Sequence, residues 1–526
     1  MSIHISIRYK IIAATIAFAI VFTGLCETWN RAEAAEAAQV QPARAALVTI
    51  THTNDLHGTA RGSDFASTAG LRPEQGILRA ASIIRSVRAE NPNTLALDAG
   101  DLLHGTPLVY SFKGEPMIEL LNTVGYDAMT LGNHDFEWGM AALEKHAANA
   151  DFAFLAANAL FPAERDFSNV KPYIIREFEG ARIAVVGLAT QQTEDYIWPP
   201  YLEGTRITPP ADALAALMPE IKEKSDFVIV LSHLGFEQDM LLAQNATGIN
   251  MILGGHTHKR VYPPAKVGAT EVFNSGSRGE AVGIIELLFS FDEKDKIVDV
   301  KTSNRLVETS LDIPEAKDLA AIYGAYLEEF KKKTELKIAT SLIDLDASDV
   351  RQKENRLGRR IADAIRNAAG TQIAVIDTTL IGAGIPEGDI SLIDLHAVLP
   401  AYTRQNVVSG KLSGAKLRDA LEHSVSGFRH PMLLQVSGLE FALNAAAPAG
   451  SRVSDILIDG VPLDGASFYS VASTSHLFMG GTGFNSFLTA IDITDLGKTL
   501  REVVAEDLAD EYYIWPEFKG AVKMIP

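Results

Sequence analysis

The 526-residue sequence contains one cysteine, Cys26. A single thiol cannot form an intrachain disulfide, and it cannot supply a cysteine-based zinc site. Positive charge is also scarce, since 47 Lys and Arg residues stand against 66 Asp and Glu, a formal net charge of −19. Binding to a phosphate backbone needs clustered Lys and Arg, so the acidic balance argues against a nucleic-acid polymer as the partner.

Long apolar runs are missing beyond the N-terminal segment. No later stretch reaches 18 consecutive apolar residues, so no membrane span is predicted in the mature protein. Hydrophobic residues nevertheless make up 47% of the chain, which excludes wholesale disorder and a coiled-coil rod. A chain of this length is expected to form two or more domains.

The N-terminal segment has the pattern of an export signal. Arg8 and Lys10 precede an apolar run at 11–25, which is shorter than the roughly 20 residues of a membrane span. Small residues at Ala32 and Ala34 suit cleavage by a signal peptidase. We expect a signal peptide at 1–34, a tether at 35–46 and a periplasmic or secreted protein; an uncleaved anchor is the alternative.

Short apolar runs alternate with loops and helical stretches over the first half of the chain. Strands are predicted at 48–53, 94–97, 128–131, 183–186, 227–231 and 251–253, with amphipathic helices at 75–89 and 115–122. This alternation indicates an α/β architecture for residues 47–314. A helix at 315–334 is predicted to connect it to a second α/β domain at 335–526, with helices at 357–369 and 415–424 and strands at 373–376 and 469–472.

Five loops that directly follow predicted strands carry metal-ligand residue types. They contain Asp55 and His57, Asp101, Asn133 with His134 and Asp135, His233, and His256 with His258. Ligands of open α/β sheets bind beyond the carboxyl ends of the strands, so these loops should converge on one crevice. In an extended segment, Asp55 and His57 would point to the same side, as would His256 and His258. The sequence therefore predicts a multi-ligand metal site without thiolates, for which Zn²⁺, Mn²⁺, Fe and Co²⁺ are all suitable.

These motifs, in this order, resemble those of the calcineurin-like metallophosphoesterases. The whole chain resembles the bacterial periplasmic 5′-nucleotidase and UDP-sugar hydrolase group, strongly over 46–291 and more loosely afterwards. The resemblance implies a four-layer α/β/β/α metallophosphoesterase sandwich followed by a C-terminal α/β nucleotidase-type domain. It also implies two divalent ions and hydrolysis of a small phosphoester by in-line attack of a hydroxide.

Carried over by position, the resemblance assigns the ligands of both ions. The first ion would take Asp55, His57, Asp101 and His258, and the second would take Asp101, Asn133, His233 and His256. A carboxylate shared by two ions about 4 Å apart is what such a centre needs, and Asp101 would provide it. Two ions would also make the crevice locally positive, which suits a phosphate in an acidic protein.

The resemblance gives His134 the role of the catalytic histidine that contacts the phosphoryl oxygens and the leaving group. In this group an Asp three residues further along usually pairs with that histidine, whereas here the position holds Glu137. Glu can orient an imidazole with a longer arm, so we expect His134 and Glu137 to form a working pair. Asp135 is expected to be structural, and His52 and His104 are expected to pack beside the site.

The C-terminal domain is implied to hold the nucleoside. Arg351 falls on a substrate arginine of the family, while Tyr402 and Arg404 could stack on the base and replace an arginine that is missing near 378–382. His476 stands where the second aromatic clamp is usual, and Phe478 lies close by in the sequence. Stacking suits base binding because every base has a π-face. These departures predict a weakened or reshaped base pocket.

Three functions remain open from the sequence. The leading one is release of phosphate from 5′-nucleotides, with cyclic nucleotides or nucleotide sugars as further substrates. The same metal site could instead serve another ester, as in a thiosulfohydrolase-like enzyme or a 2′,3′-cyclic phosphodiesterase. In a non-enzymatic alternative, the C-terminal domain is a binding or assembly module.

Overall fold

The structure is a computed structural model that describes residues 42–65, 71–400, 405–427, 432–514 and 519–525. The predicted signal peptide and most of the tether lie outside these residues. Of these described residues, those within 1–47 and 288–301 form a small compact unit, and those within 48–287 and 302–526 form a large one. Within the small unit, the Arg44 guanidinium lies 3.6 Å from the Phe291 ring centre and its Nε lies 2.7 Å from Asp295 Oδ1.

The N-terminal half alternates strands and helices as the sequence predicts. Its strands are β1 (Arg44–Thr53), β2 (Thr94–Asp98), β3 (Ala128–Thr130), β4 (Ala153–Leu155), β5 (Ala159–Leu160), β6 (Val170–Lys171), β7 (Tyr173–Phe178), β8 (Ala181–Ala189), β9 (Arg206–Ile207), β10 (Phe227–His233), β11 (Met251–Gly254), β12 (Arg260–Val267), β13 (Thr270–Ser275), β14 (Ala281–Phe291) and β15 (Ile297–Glu308). Its helices are α1 (Ile77–Glu90), α2 (Pro107–Ser111), α3 (Glu115–Val124), α4 (Met140–Asn149), α5 (Thr193–Tyr196), α6 (Pro199–Leu202), α7 (Pro210–Lys224), α8 (Phe236–Asn245) and α9 (Lys317–Thr334). Strand β1 begins at Arg44, inside the range that we expected to be tether.

Two sheets form the centre of this half. In the large unit, one sheet has the described strand order β15-β14-β1-β2-β3-β4-β6 and the other β12-β13-β11-β10-β8-β7. Strands β2 and β10 are buried along their whole length, as expected for strands covered on both faces. The sheets approach closely, since a Cβ on Gly187 of β8 would lie 2.3 Å from the Leu155 Cβ of β4.

Helices cover the outer face of each sheet. The buried sides of α1, α3 and α4 share an apolar core with Ala96 of β2 and Met129 of β3. The buried sides of α7 and α8 pack in the same way on Val228 and Val230 of β10. The result is the α/β/β/α order of layers, which confirms the predicted fold class.

The connecting helix α9 packs against the N-terminal half. Tyr323 and Phe330 are buried in the same core as α1 and α3. The Asp318 carboxylate lies 2.7 Å from Arg85, and the Tyr326 hydroxyl donates to Glu119 at 2.9 Å. Helix α9 is therefore part of the N-terminal half in its packing.

The C-terminal half forms a second α/β core. Its strands are β16 (Lys337–Ser341), β17 (Ile373–Ile376), β18 (Gly388–Ser391), β19 (Asn406–Ser413), β20 (Gln435–Ser437), β21 (Leu439–Leu443), β22 (Val453–Ile458), β23 (Val461–Pro462), β24 (Phe468–Thr474), β25 (Ile491–Thr499), β26 (Tyr513–Ile514) and β27 (Val522–Met524). Its helices are α10 (Arg356–Ala369), α11 (Leu392–Val398), α12 (Gly414–Ser424), α13 (Ser475–Phe478) and α14 (Leu500–Glu511).

The central sheet of this half has the described order β20-β17-β24-β19-β25. Alternate residues of β17 serve two cores: Ala374 and Ile376 pack with α10 and α14, whereas Ile373 and Val375 pack with α12 and the sheet of β21 and β22. The Asn355 side chain caps α10 by accepting from the backbone N–H groups of residues 357 and 358. Among the helices of the described ranges, none has the length and apolarity that crossing a membrane requires.

Candidate metal centre and active site

The five predicted loops lie where strands end, and the structure brings their side chains together. Strands β1, β2 and β3 run parallel in one sheet, and β10 and β11 run parallel in the other. Their carboxyl ends therefore open onto one crevice between the sheets. Two groups of three potential ligands form there, each with its ligand atoms within 4.8 Å of one another.

The first group consists of Asp55, His57 and His258. The Nε2 atom of His57 lies 2.7 Å from His258 Nε2 and 3.9 Å from Asp55 Oδ1, and His258 Nε2 lies 3.6 Å from the same oxygen. Burial raises the pKa of Asp55 to about 7. A cation held by these atoms would favour the ionised carboxylate, because an opposite charge nearby stabilises the charged form.

The second group consists of Asp101, His233 and His256. Asp101 Oδ2 lies 3.2 Å from His233 Nε2 and 3.9 Å from His57 Nε2, so this carboxylate faces both groups. Burial opposes ionisation of Asp101, yet His233 and His134 hold its pKa well below its usual range. Asp101 has the position and the charge of a carboxylate that two cations could share.

The donor set fits divalent ions. Among the described residues, the buried Asn133 Oδ1 has no hydrogen-bond partner, and His233 Nε2 has only the Asp101 carboxylate, at 3.2 Å, beside it. Buried polar atoms are almost always paired in proteins, so an unpaired amide oxygen beside Asp101 fits a cation ligand. Imidazole nitrogens, carboxylates and an amide oxygen are common donors to divalent transition metals.

The backbone around the predicted ligands is not extended, contrary to the expectation from the sequence. Asp55 and His57 do not lie in an extended segment, since their φ angles are +51° and +46°. His256 and His258 have φ angles of +72° and +54°, and Asp101 has +58°. Left-handed turns rather than strand alternation therefore aim these ligands into the crevice. Such conformations cost on the order of 1–3 kcal/mol each and cluster at functional sites.

His134 and Glu137 form the predicted pair. The two residues are one turn apart at the 3₁₀ helix His134–Phe136, and His134 Nδ1 lies 2.5 Å from Glu137 Oε1. Burial opposes protonation of His134, but the negative charges of Asp101 and Glu137 raise its pKa to about 9. The backbone N–H of His134 also donates to Asp101 Oδ1 at 2.9 Å, which ties the pair to the metal ligands.

Asp135 is structural in this structure, as its sequence context suggested. Its carboxylate is buried and accepts from the backbone N–H groups of Asp101, Leu102, Leu103 and Gly132 at 2.8–3.0 Å. It therefore fixes the loop after β2 against the loop after β3. This contact holds Asp101 in place.

The substrate residues predicted in the C-terminal half are scattered. Tyr402 and Arg404 lie outside the described residues. Arg351 is exposed, and its carbonyl accepts from the Leu433 N–H. His476 is half-buried and lines a small cavity, of about 20 Å³, together with Glu137. The structure thus brings one predicted substrate residue next to the predicted catalytic pair.

Phe478 is placed differently from the prediction. Its side chain is only 4% exposed and packs edge-to-face on Phe487 at 5.4 Å, inside the C-terminal core. A Cβ on Gly410 would lie 2.9 Å from the Phe478 ring. The ring therefore fills the core and is not presented to a base.

Residues outside the predicted set also contact the ligands. Asn54 Nδ2 donates to Asp55 Oδ2 at 2.6 Å, and Gln192 Oε1 lies 2.9 Å from His256 Nε2. His104, which was expected to pack beside the site, has its Nε2 2.8 Å from His57 Nδ1. Gln192 lies three residues after the end of β8. A polar residue just after a buried strand is the same pattern that predicted the other site residues, so Gln192 could have been found from the sequence.

Trp198, from the N-terminal half, contacts the C-terminal half of the large unit beside this site. Its ring packs in the C-terminal core, and its indole Nε1 donates to Asp495 Oδ2 at 2.8 Å. Trp198 also lines the cavity that contains Glu137 and His476. The contact places the C-terminal half next to the catalytic pair.

Comparisons with known proteins agree with this architecture. The family model of the calcineurin-like phosphoesterases matches residues 48–260, and that of the 5′-nucleotidase C-terminal domain matches residues 334–489. The chain is 28% identical to the 5′-nucleotidase of Rattus norvegicus over 90% of each protein. It is 29% identical to the trifunctional nucleotide phosphoesterase protein YfkN of Bacillus subtilis, over 91% of this chain and 35% of that longer protein.

A solved structure shows the same arrangement. The 5′-nucleotidase precursor from Thermus thermophilus has a TM-score of 0.61 and 28% identity, and the match covers 91% of this chain and 99% of that one. The protein is thus a calcineurin-like metallophosphoesterase, a metal-dependent phosphoester hydrolase. With its C-terminal domain, the chain belongs to the 5′-nucleotidase family.

Proposed function

We propose that this protein is an exported 5′-nucleotidase that uses two divalent ions to release phosphate from nucleotides. Export rests on the charged and apolar pattern of residues 1–34, and N-terminal sequencing of the exported protein checks it by showing whether the chain begins near residue 35. The nucleotide substrate rests on the family of the C-terminal domain and on the residues beside Glu137.

The main support for two ions is the presence of two groups of potential ligands around Asp101. Asp55, His57 and His258 would hold one ion, and Asn133, His233 and His256 would hold the other, with Asp101 shared. When bound, two such ions supply an activated hydroxide and stabilise the charge on the attacking and leaving oxygens. Their positive charge would also attract a phosphate into a crevice lined by carboxylates.

His134 would act directly on the substrate. With its Nδ1–H donated to Glu137, the ring is held in one orientation and Nε2 is left for an oxygen of the phosphoryl or leaving group. When the ring is protonated, its Nε2 can donate a hydrogen bond or a proton to that oxygen while Nδ1 stays bonded to Glu137. A cation at this position stabilises charge that develops on the transferred group.

The nucleoside would bind between this site and the C-terminal half. His476, Gln405 and Glu137 line one cavity, which links the phosphoryl end of the site to a segment that the family resemblance assigns to the base. At about 20 Å³ the cavity is too small for a nucleoside, whose pocket needs several hundred Å³. The nucleoside would therefore need more room than the structure leaves between Glu137 and His476.

A substrate profile of the Mn²⁺-loaded full-length protein tests the proposed function. We expect phosphate release from AMP with a kcat/KM at least about tenfold above that for ribose 5-phosphate, because stacking on a base contributes about 1–3 kcal/mol. Hydrolysis assays with UDP-glucose and 2′,3′-cyclic AMP show whether nucleotide sugars and cyclic nucleotides are also cleaved.

Each other outcome points to a different function. Equal turnover of AMP and ribose 5-phosphate would overturn nucleotide recognition while leaving a general phosphatase. Cleavage of 2′,3′-cyclic AMP alone would make the protein a cyclic phosphodiesterase. A protein that binds both ions and cleaves none of these substrates would fit the thiosulfohydrolase-like or the binding-module alternative.

A further inference from the structure

We propose that His104 is a positioning residue that holds the ion ligand His57 in the required tautomer and joins it to the His134–Glu137 pair. The inference rests on the proposed function to the extent that it assumes an ion at His57. His104 lies in the loop after β2 and is 4% exposed. Three contacts of the His104 ring support this positioning role.

The first contact fixes the tautomer of His57. Nε2 of His57 faces the ion side, since it lies near Asp55, Asp101 and His258. A neutral imidazole has one N–H donor and one acceptor, so an Nε2 that offers its lone pair to an ion leaves the hydrogen on Nδ1. The only ring atom at hydrogen-bond distance from His57 Nδ1 among the described residues is His104 Nε2, at 2.8 Å. His57 therefore donates and His104 accepts.

The second contact follows from the first. Because Nε2 of His104 accepts, a neutral His104 carries its hydrogen on Nδ1. That atom is buried and lies 3.9 Å from Glu137 Oε2, the oxygen opposite the one that binds His134. The distance is too long for a hydrogen bond but close enough for the N–H dipole to stabilise the carboxylate.

The third contact fixes the orientation of both rings. The imidazoles of His104 and His134 stack with centroids 3.8 Å apart and planes 26° from parallel. His104 therefore cannot turn without disturbing His134. Partners of this kind, which accept the second N–H of a ligating histidine, typically change metal affinity 10–100-fold when they are removed.

His104, His134 and Glu137 also have ligand atoms within 4.8 Å of one another, as in a third ion site. One ring nitrogen of each histidine is already engaged, since His104 Nε2 faces His57 and His134 Nδ1 binds Glu137. The positioning role uses these contacts as they stand. A third ion is therefore an outcome of the test.

The test compares two substitutions in the full-length protein. His104→Phe keeps a flat ring against His134 but removes the acceptor, so the Mn²⁺ affinity, measured by competition with a chelator, should fall about 10–100-fold. His104→Gln retains an amide oxygen that can accept from His57 Nδ1, and its affinity should stay within about threefold of the wild type. His146→Gln, at a buried histidine of α4, is the matched control and should change nothing.

Several results would overturn the proposal. Wild-type Mn²⁺ affinity in His104→Phe would remove the role in positioning His57, and equal losses in the Phe and Gln variants would assign the effect to packing. The loss of one bound ion per chain at saturating Mn²⁺ in His104→Phe would show a third ion site. Affinity is read without substrate, so failure of nucleotide hydrolysis in the wild type would overturn the proposed function and leave this inference standing.

Discussion

Replacement of Asp101 with alanine should abolish phosphate release. Its carboxylate faces both ligand groups, so its loss removes the negative charge that two cations would share. Bound metal ions contribute several kcal/mol of transition-state stabilisation, so losing them corresponds to roughly a 10²–10⁴-fold loss in kcat/KM. Steady-state AMP hydrolysis at saturating Mn²⁺ measures the effect, and ion content by mass spectrometry should fall at the same time.

The control is a carboxylate of the same sheet that lies away from the crevice. Asp127 precedes β3 and accepts from the backbone N–H of Ala96 at 2.9 Å. Asp127→Asn should keep near-normal turnover and ion content. Near-normal turnover in Asp101→Ala, with both ions still bound, would contradict the shared-ligand account.

Replacement of His134 with alanine should lower kcat by about 10²–10⁴-fold, the usual contribution of a positioned acid or base. The ions should remain, because His134 belongs to neither of the two groups that face Asp101. KM should change much less than kcat, since the charge that His134 stabilises is greatest in the transition state. Steady-state kinetics on AMP and ion content of the same preparation measure both parts.

Glu137 gives the companion measurement. Glu137→Gln keeps a group that can accept from His134 Nδ1 but removes the charge that helps to raise the pKa of His134. Its kcat should therefore lie between those of the wild type and His134→Ala. If His134→Ala lost an ion in proportion to its lost activity, His134 would be a ligand and the assignment would be wrong.

The strands and the order of the loops could be predicted from the sequence. Short apolar runs rich in β-branched residues, such as 227–231, favour buried strands, so β10 and its neighbours follow from composition and length. The ligand residues then follow, because loops at the carboxyl ends of parallel strands meet. The connecting helix was also visible, but its packing on the catalytic half depends on buried faces that become paired only in three dimensions.

The finer arrangement of the site depends on contacts that spacing does not determine. Left-handed φ angles at Asp55 and His258 are set by the loops as a whole, so the strand alternation expected for these residues was wrong. His104 and His57 are 47 residues apart, and nothing local indicates their contact. The position of Phe478 near His476 in the sequence favoured a role at the base, but the one-turn helix α13 directs its ring into the core.

Stepwise return of Mn²⁺ to the ion-free protein, with AMP hydrolysis recorded at each addition, tests the two-ion site most directly. The ligand groups around Asp101 predict that activity reaches its plateau at two equivalents per chain. Full activity at one equivalent, or no activity at two, would contradict a shared two-ion centre.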